Sequence, residues 1–158
     1  MWLNGTFGCE QIVAGEMDHQ IRKLSNFLQM SNASAIFLRI GYEFDNPFFG
    51  YSDSPDTFIK AFQKIVRDLE HSLSLDALLR TQFVWHSWAA PRKENLTLED
   101  FYPGNEFVDW VGISVFQQVF PWPSNWGNGF VDWGGGVGDA EEVLQFAQLK
   151  NKVRVSRK

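Results

Sequence analysis

The amino-acid sequence predicts an α/β domain built on a parallel sheet. Stretches with apolar residues at helical spacing alternate with compact apolar runs of strand length, and no hairpin signal joins one run to the next. Chains of that pattern return to the sheet through helical crossovers, which leaves neighbouring strands parallel. Length sets the scale: 158 residues, 44% of them hydrophobic, fill one core and not two. No repeat, low-complexity tract or Ser/Pro-rich linker divides the chain, so residues 1–158 are read as a single domain.

The residues ahead of Glu10 are read as a first strand. Met17, Ile21, Leu24 and Leu28 recur every three or four positions, so a helix runs from residue 16 to about 30. Ala35–Glu43 follows, an apolar run ending in polar residues, as expected of a strand buried on both faces. Asp53 and Ser54 offer N-caps and Pro55 suits a first helical position. Phe58, Phe62, Ile65 and Leu69 then fall on one face of the helix that starts there. Thr81–Trp88 and Val108–Phe116 are the next strands. Gly134, Gly135, Gly136 and Gly138 mark a loop, and residues 139–149 form a helix with Val143, Phe146, Ala147 and Leu149 as its apolar side. Lys152–Ser156 begins another strand.

Charge and composition exclude several functions. With 14 Lys and Arg against 19 Asp and Glu, the net charge is −5, and no basic stripe exists to hold a phosphate backbone. Nucleic acid is therefore not an expected partner. No apolar run reaches the ~18 residues of a membrane span, and residues 1–15 lack the basic start and apolar centre of a secretory signal. No membrane partner is expected, and nothing specifies a protein partner. The single cysteine, Cys9, rules out an internal disulfide or a cysteine-rich zinc site and reads as a small buried thiol. His19, His71 and His86 lack ligand spacing, and no Asp-rich calcium loop, P-loop, dinucleotide fingerprint or Gly-x-Ser-x-Gly elbow occurs. Neither a metal nor a cofactor is expected. Asn4, Asn32 and Asn95 each open a glycosylation sequon, where chance gives about one; they indicate an extracellular, secreted parent.

Aromatic residues are abundant, with 15 Phe, 7 Trp and 3 Tyr making up 16% of the chain. Such rings fill cores and also form platforms for sugar faces. In parallel α/β folds chemistry collects where strands end. That directs attention to Arg39, Tyr42, Glu43 and Asp45, then to His86 and Trp88, then to Phe116, Gln117 and Gln118. Glu43 leads: a carboxylate closing an apolar strand among Tyr42, Phe44, Phe48 and Phe49 suits a general acid. Its other reading is structural, capping the next loop or pairing with Arg39. Arg39, an even number of residues earlier on the same face of a strand, either holds Glu43 or a substrate oxygen or makes a buried ion pair. His86 and Trp88 share one face of their strand and Trp85 takes the other; they line a saccharide site or belong to the core, where Trp110 is also expected. Trp122, Trp126 and Trp133 lie in a Gly-, Pro- and Asn-rich loop and form either a ligand surface or a packed lid.

Two segments carry a family resemblance. They are Leu38-Arg39-Ile40-Gly41-Tyr42-Glu43-Phe44-Asp45 and Phe101-Tyr102-Pro103-Gly104-Asn105-Glu106-Phe107-Val108-Asp109-Trp110-Val111-Gly112-Ile113, with Phe83-Val84-Trp85 between them. Together they resemble glycoside hydrolase family 26, the β-mannanases and related polysaccharide hydrolases with (β/α)8 barrels. The resemblance spans roughly residues 30–120 and the rest of the chain more loosely. It implies a partial (β/α)8 TIM barrel, about strands 3 to 7 with intervening helices. It implies hydrolysis of O-glycosidic bonds in a β-linked polysaccharide of mannan or xylan type, with a polysaccharide or oligosaccharide as partner and no cofactor. By the resemblance Glu43 is the acid/base, and Arg39, Tyr42, His86, Trp88, Phe116 and Trp122 line the substrate site.

The sequence departs from the family pattern in two places. The family usually has His before its glutamate and Asn-Gly after it, whereas Tyr42 precedes Glu43 here and Phe44, Asp45 and Asn46 follow. A retaining mechanism also needs a nucleophilic carboxylate about 5–5.5 Å from the acid/base. The resemblance puts it at the end of a seventh strand, where Lys152–Lys158 carries no acid. Asp45 lies too close in sequence, Asp109 sits at the start of its strand, and nothing marks Glu10 or Glu16 as catalytic. The expectation is a truncated barrel without strands one, two and eight, with little or no hydrolysis by this chain. The alternatives are a non-catalytic carbohydrate-binding remnant and an unrelated α/β domain whose aromatics are all core.

Overall fold

The computed structural model describes residues 1, 3–89, 93, 95–114 and 137–152. Strands β1 (Ile36–Arg39), β2 (Thr81–Ser87) and β3 (Trp110–Ile113) form a parallel sheet in chain order. All three run parallel, so their C-terminal ends face one edge, with β2 and β3 ending together at Ser87 and Ile113 and β1 ending earlier, level with Val84. The Met1 backbone bonds to the chain at the end of β1. Its amino group donates to the Arg39 carbonyl, and the Gly41 amide donates to the Met1 carbonyl at 2.7 Å.

The strand expected ahead of Glu10 is not found among the described residues, where helix α1 (Gly5–Val13) occupies most of that stretch. Gly5, Gly8, Cys9 and Ile12 are its buried positions, at helical spacing. Two of the four are glycines, which removes the apolar signal. Gly8 is needed for the packing, since a Cβ there would sit 1.7 Å from the Leu3 carbonyl oxygen.

Helix α2 (Asp18–Met30) buries Ile21 and Leu28 as its period predicts. Helix α3 (Pro55–Ser72) buries Phe58, Phe62, Ile65, Val66 and Leu69, and Pro55 occupies its first position. Ser54 precedes it as expected, though its hydroxyl pairs with the Thr57 hydroxyl at 2.7 Å instead of capping a backbone amide. Helix α4 (Leu75–Arg80) has no counterpart among the expected elements and runs directly into β2. Ser74 caps it, accepting from the Ala77 amide at 3.3 Å. Helix α5 (Val137–Leu149) takes in Gly138, which was expected in a loop. Val143 and Ala147 are buried on it, but Leu149, expected on the apolar side, is 81% exposed. The strand expected at Lys152–Ser156 lies outside the described residues apart from Lys152.

Between β2 and β3 the described residues contain two single 3-10 turns, Glu99–Phe101 and Asn105–Phe107, in place of an α-helical crossover. Phe101 and Tyr102 fill the space a helix would occupy, their rings against Phe44 and Trp85 at 5.2 Å.

The sheet has one packed face and one open face. Phe83 and Trp85 point from β2 into the core under α3, and Trp85 stacks on Phe44 at 4.1 Å. On the other face Phe37 is 57% exposed, and its ring meets Trp110 edge-on at 5.7 Å. Trp110, expected in the core, is therefore on the open face, half-buried, with its indole N–H donating to Gln82 at 3.1 Å. Register places Arg39, Val84 and Trp110 side by side on that face, with His86 and Gly112 adjacent toward the C-terminal edge.

Candidate active site

β1 stops at Arg39, four residues short of Glu43. The chain then turns through two left-handed residues, Gly41 and Glu43, each at φ +55°. A side chain at Gly41 is also blocked, because its Cβ would approach a ring carbon of Phe58 to 2.5 Å. At Glu43 the left-handed backbone costs about 1–2 kcal/mol for an L-residue. Two hydrogen bonds hold it: the Glu43 amide donates to the His86 carbonyl at 2.7 Å, and its carbonyl accepts from the Asn46 amide at 2.9 Å. Strain held in this way at a strand end is characteristic of functional positions.

The turn overturns the expected relation between Arg39 and Glu43. Even spacing puts two side chains on one face only while the strand continues, and here it does not. Arg39 is exposed, its guanidinium 5.8 Å from the centre of the Tyr42 ring, and makes no ion pair with Glu43. Glu43 is 8% exposed and held by neutral donors instead. The Ser114 hydroxyl donates to Oε1 at 2.5 Å, and Asn46 Nδ2 donates to Oε2 at 3.3 Å. Among the described residues no cation pairs with this carboxylate.

Asp45, two residues on, is fully buried and does something different. Its Oδ2 accepts from the Ser87 hydroxyl at 2.6 Å and its Oδ1 from the Trp88 amide at 2.8 Å. It fastens the turn after β1 to the end of β2, next to the carbonyl of His86 that receives the Glu43 amide.

His86 lies beneath this turn, 5% exposed, and its Nδ1 is buried without a hydrogen-bond partner. Burial lowers its proton affinity, and Arg39 adds to that, against the opposing pull of Glu43 and a backbone bond at Ile113. The imidazole is thus biased toward its neutral form. Gly112 makes room for it; a Cβ there would come within 2.6 Å of His86 Cδ2.

Of the seven site residues expected, Glu43 and His86 are brought together at the strand ends, with Arg39 close enough to bias His86. Tyr42 is half-buried beside Arg39 and meets Phe49 edge-on at 5.7 Å. Trp88 is half-buried just past β2, its backbone fixed by Asp45. Phe116 and Trp122 lie outside the described residues, as do Gln117, Gln118, Trp126 and Trp133. Ser114 and Asn46 were not anticipated. The available signal for Ser114 was its place two residues beyond Gly112 in the alternation of β3. Asn46 carried one too, as the residue ahead of Pro47, where it accepts from the Phe48 amide at 3.0 Å. Among the described residues no cluster of His, Cys, Asp and Glu side chains is disposed to hold a metal ion.

These features define a parallel α/β protein with a carboxylate-centred site at the ends of its strands. The model of glycosyl hydrolase family 26 matches residues 9–132, and the chain belongs to that family. It is similar to a beta-1,3-xylanase from Alcaligenes sp, 31% identical over 119 residues that make up 74% of this chain. The match covers 21% of that protein, so the chain spans about a fifth of the length of its relative.

Proposed function

We propose that this chain carries the acid/base side of a glycoside hydrolase site for a β-linked polysaccharide, with Glu43 as the acid/base. The observation that supports this best is the Glu43 carboxylate itself: buried just past the end of a parallel strand, held by two neutral donors and, among the described residues, without a cation on it. In this role a protonated Glu43 gives its proton to the glycosidic oxygen as that bond breaks. The resulting carboxylate later takes a proton from the water that releases the sugar. Family membership and the name of the xylanase relative favour xylan over mannan as the substrate. Arg39, Tyr42, His86 and Trp88 are the proposed substrate contacts, Arg39 being exposed beside the half-buried Tyr42 ring.

We read β1, β2 and β3 as consecutive members of a (β/α)8 barrel wall whose inner face carries Phe37, Arg39 and Trp110. Double displacement also needs a second carboxylate about 5–5.5 Å away. Among the described residues, Asp45 is the other carboxylate beside this strand end, and both its oxygens are turned to β2. The exposure of Asn4, Asn32 and Asn95 favours a secreted location, since each sequon is open to glycosylation.

The test is reducing-sugar release from β-1,3-xylan, β-1,4-xylan and mannan by the parent chain and by Glu43→Gln, with tryptophan fluorescence followed during oligosaccharide titration. Release that vanishes in the variant supports hydrolysis. Saturable quenching without release supports the second reading, a sugar-binding protein that keeps the aromatic site. Absence of both sinks the two together.

A further inference from the structure

The hydrogen bond between Ser114 and Glu43 joins residues 71 positions apart and fixes more than the direction of a side chain. We propose that Ser114 is a positioning residue that selects which oxygen of Glu43 carries the catalytic proton. The inference deepens the acid/base reading of Glu43 and rests on it.

The argument starts from the rigidity of the two donors. The Ser114 amide donates to the Ser87 carbonyl at 3.0 Å, so its backbone continues the sheet beyond β3 and does not belong to a free loop. From that anchored position the hydroxyl reaches Oε1 at 2.5 Å, the short distance of a charge-assisted bond. Oε2 has the weaker partner, Asn46 Nδ2 at 3.3 Å. The amide of Asn46 cannot turn over to improve that contact, because its Oδ1 accepts from the Phe48 amide at 3.0 Å.

The two oxygens are therefore unequal. A proton on Oε1 would face the Ser114 hydrogen and force that hydroxyl to rotate and give up its bond. A proton on Oε2 leaves the short bond intact and displaces nothing. Oε2 is the oxygen that takes and gives the proton, while Oε1 accepts from Ser114 both as a carboxylate oxygen and as the carbonyl oxygen of the neutral acid. Asn46 Nδ2 can still donate to the remaining lone pair of the protonated Oε2.

The experiment follows the Glu43 carboxyl carbon by 13C NMR in the 158-residue chain as pH is varied, with Glu43→Gln identifying the resonance. A donor to the ionised form favours it, so its removal moves the titration midpoint upward. In Ser114→Ala the midpoint should rise by about one pH unit, the equivalent of one hydrogen bond to a charged group. Ser114→Thr keeps the hydroxyl and should titrate as the parent does. Ser114→Cys, close to serine in volume and a poor donor, should follow the alanine variant and carries the comparison if the alanine variant does not fold. Purely structural loosening would lower stability in these variants without ordering their midpoints by hydroxyl content. Midpoints of the alanine and cysteine variants within roughly 0.2 unit of the parent would overturn the proposal. The titration needs no turnover, so a parent chain that releases no sugar defeats the hydrolase reading while the Ser114 contact is still judged by its own result.

Discussion

Two glycines with the same backbone problem and different surroundings offer a direct test of how the turn before Glu43 is held. Gly41 sits at φ +55° and Gly50 at φ +74°, so alanine at either must adopt a left-handed conformation at about 1–2 kcal/mol. At Gly50 there is room, the nearest atom to a new Cβ being the Gly5 Cα at 3.8 Å. At Gly41 the new Cβ meets Phe58 Cε2 at 2.5 Å and Leu3 Cδ1 at 3.3 Å. Phe58 cannot retreat: it is fully buried, with Tyr51 at 5.4 Å, Phe44 at 5.6 Å and Phe101 at 6.2 Å around its ring. Overpacking a filled core costs about 1–3 kcal/mol. The expected loss is therefore about 1–2 kcal/mol for Gly50→Ala and about 2–5 kcal/mol for Gly41→Ala. Urea unfolding followed by tryptophan fluorescence measures both, and at unchanged slope the Gly41 midpoint should fall about 1 M below that of Gly50→Ala. Equal midpoints for the two variants would refute the steric argument and with it the rigid seating of the Glu43 turn on Phe58.

Three further outcomes are expected. Asp45→Ala strips buried acceptors from Ser87 and Trp88 and should lose about 3 kcal/mol, with Asp45→Asn losing about half of that, both read from urea midpoints. His86 has its proton affinity lowered in the fold by burial and by Arg39, so as pH drops below its ordinary value of 6.5 the unfolded chain takes up a proton that the folded chain resists. Its contribution to stability is thus present above pH 6.5 and lost as pH falls toward the folded value; His86→Gln should flatten that part of the stability profile, and an unchanged slope would contradict the assignment. Cys9 is fully buried, and burial pushes its thiol up to about 12, so a thiol reagent at pH 8 should label it only after denaturation.

How much of this was legible in the sequence depends on whether the signal was local. α3 was readable because Pro55, the preceding Ser54 and the apolar period from Phe58 to Leu69 all agree. α4 was not, because Leu75 and Leu79 are exposed and Ala77 is its buried residue, so its hydrophobicity points away from the core. Leu149 misled in the same way at the end of α5. Glu43 stood out as a carboxylate closing an apolar run. The misplacement of Arg39 came from assuming that β1 continued to Glu43, when the left-handed Gly41 ends the alternation that the parity argument needs. Ser114 was legible only in part: alternation along β3 puts it on the face of Gly112, but its partner Glu43 lies 71 residues away and nothing local names it.

The pair Glu43 and Asp45 shows how one short turn assigns opposite tasks to neighbouring carboxylates. Both are buried, and both accept from a serine hydroxyl, yet Asp45 takes its bonds from β2 and Glu43 takes its own from the end of β3 and from Asn46. The residue between them decides this. Phe44 is fully buried, stacked on Trp85 at 4.1 Å with Phe101 and Phe58 beside it, so the chain is pinned to the core at that point. With Phe44 directed inward and Glu43 in a left-handed conformation, the two carboxylates leave the turn toward different strand ends. The clamp on the end of β2 and the placement of Glu43 therefore both follow from the packing of Phe44. The aromatic core under the sheet is what holds the candidate acid/base at its address.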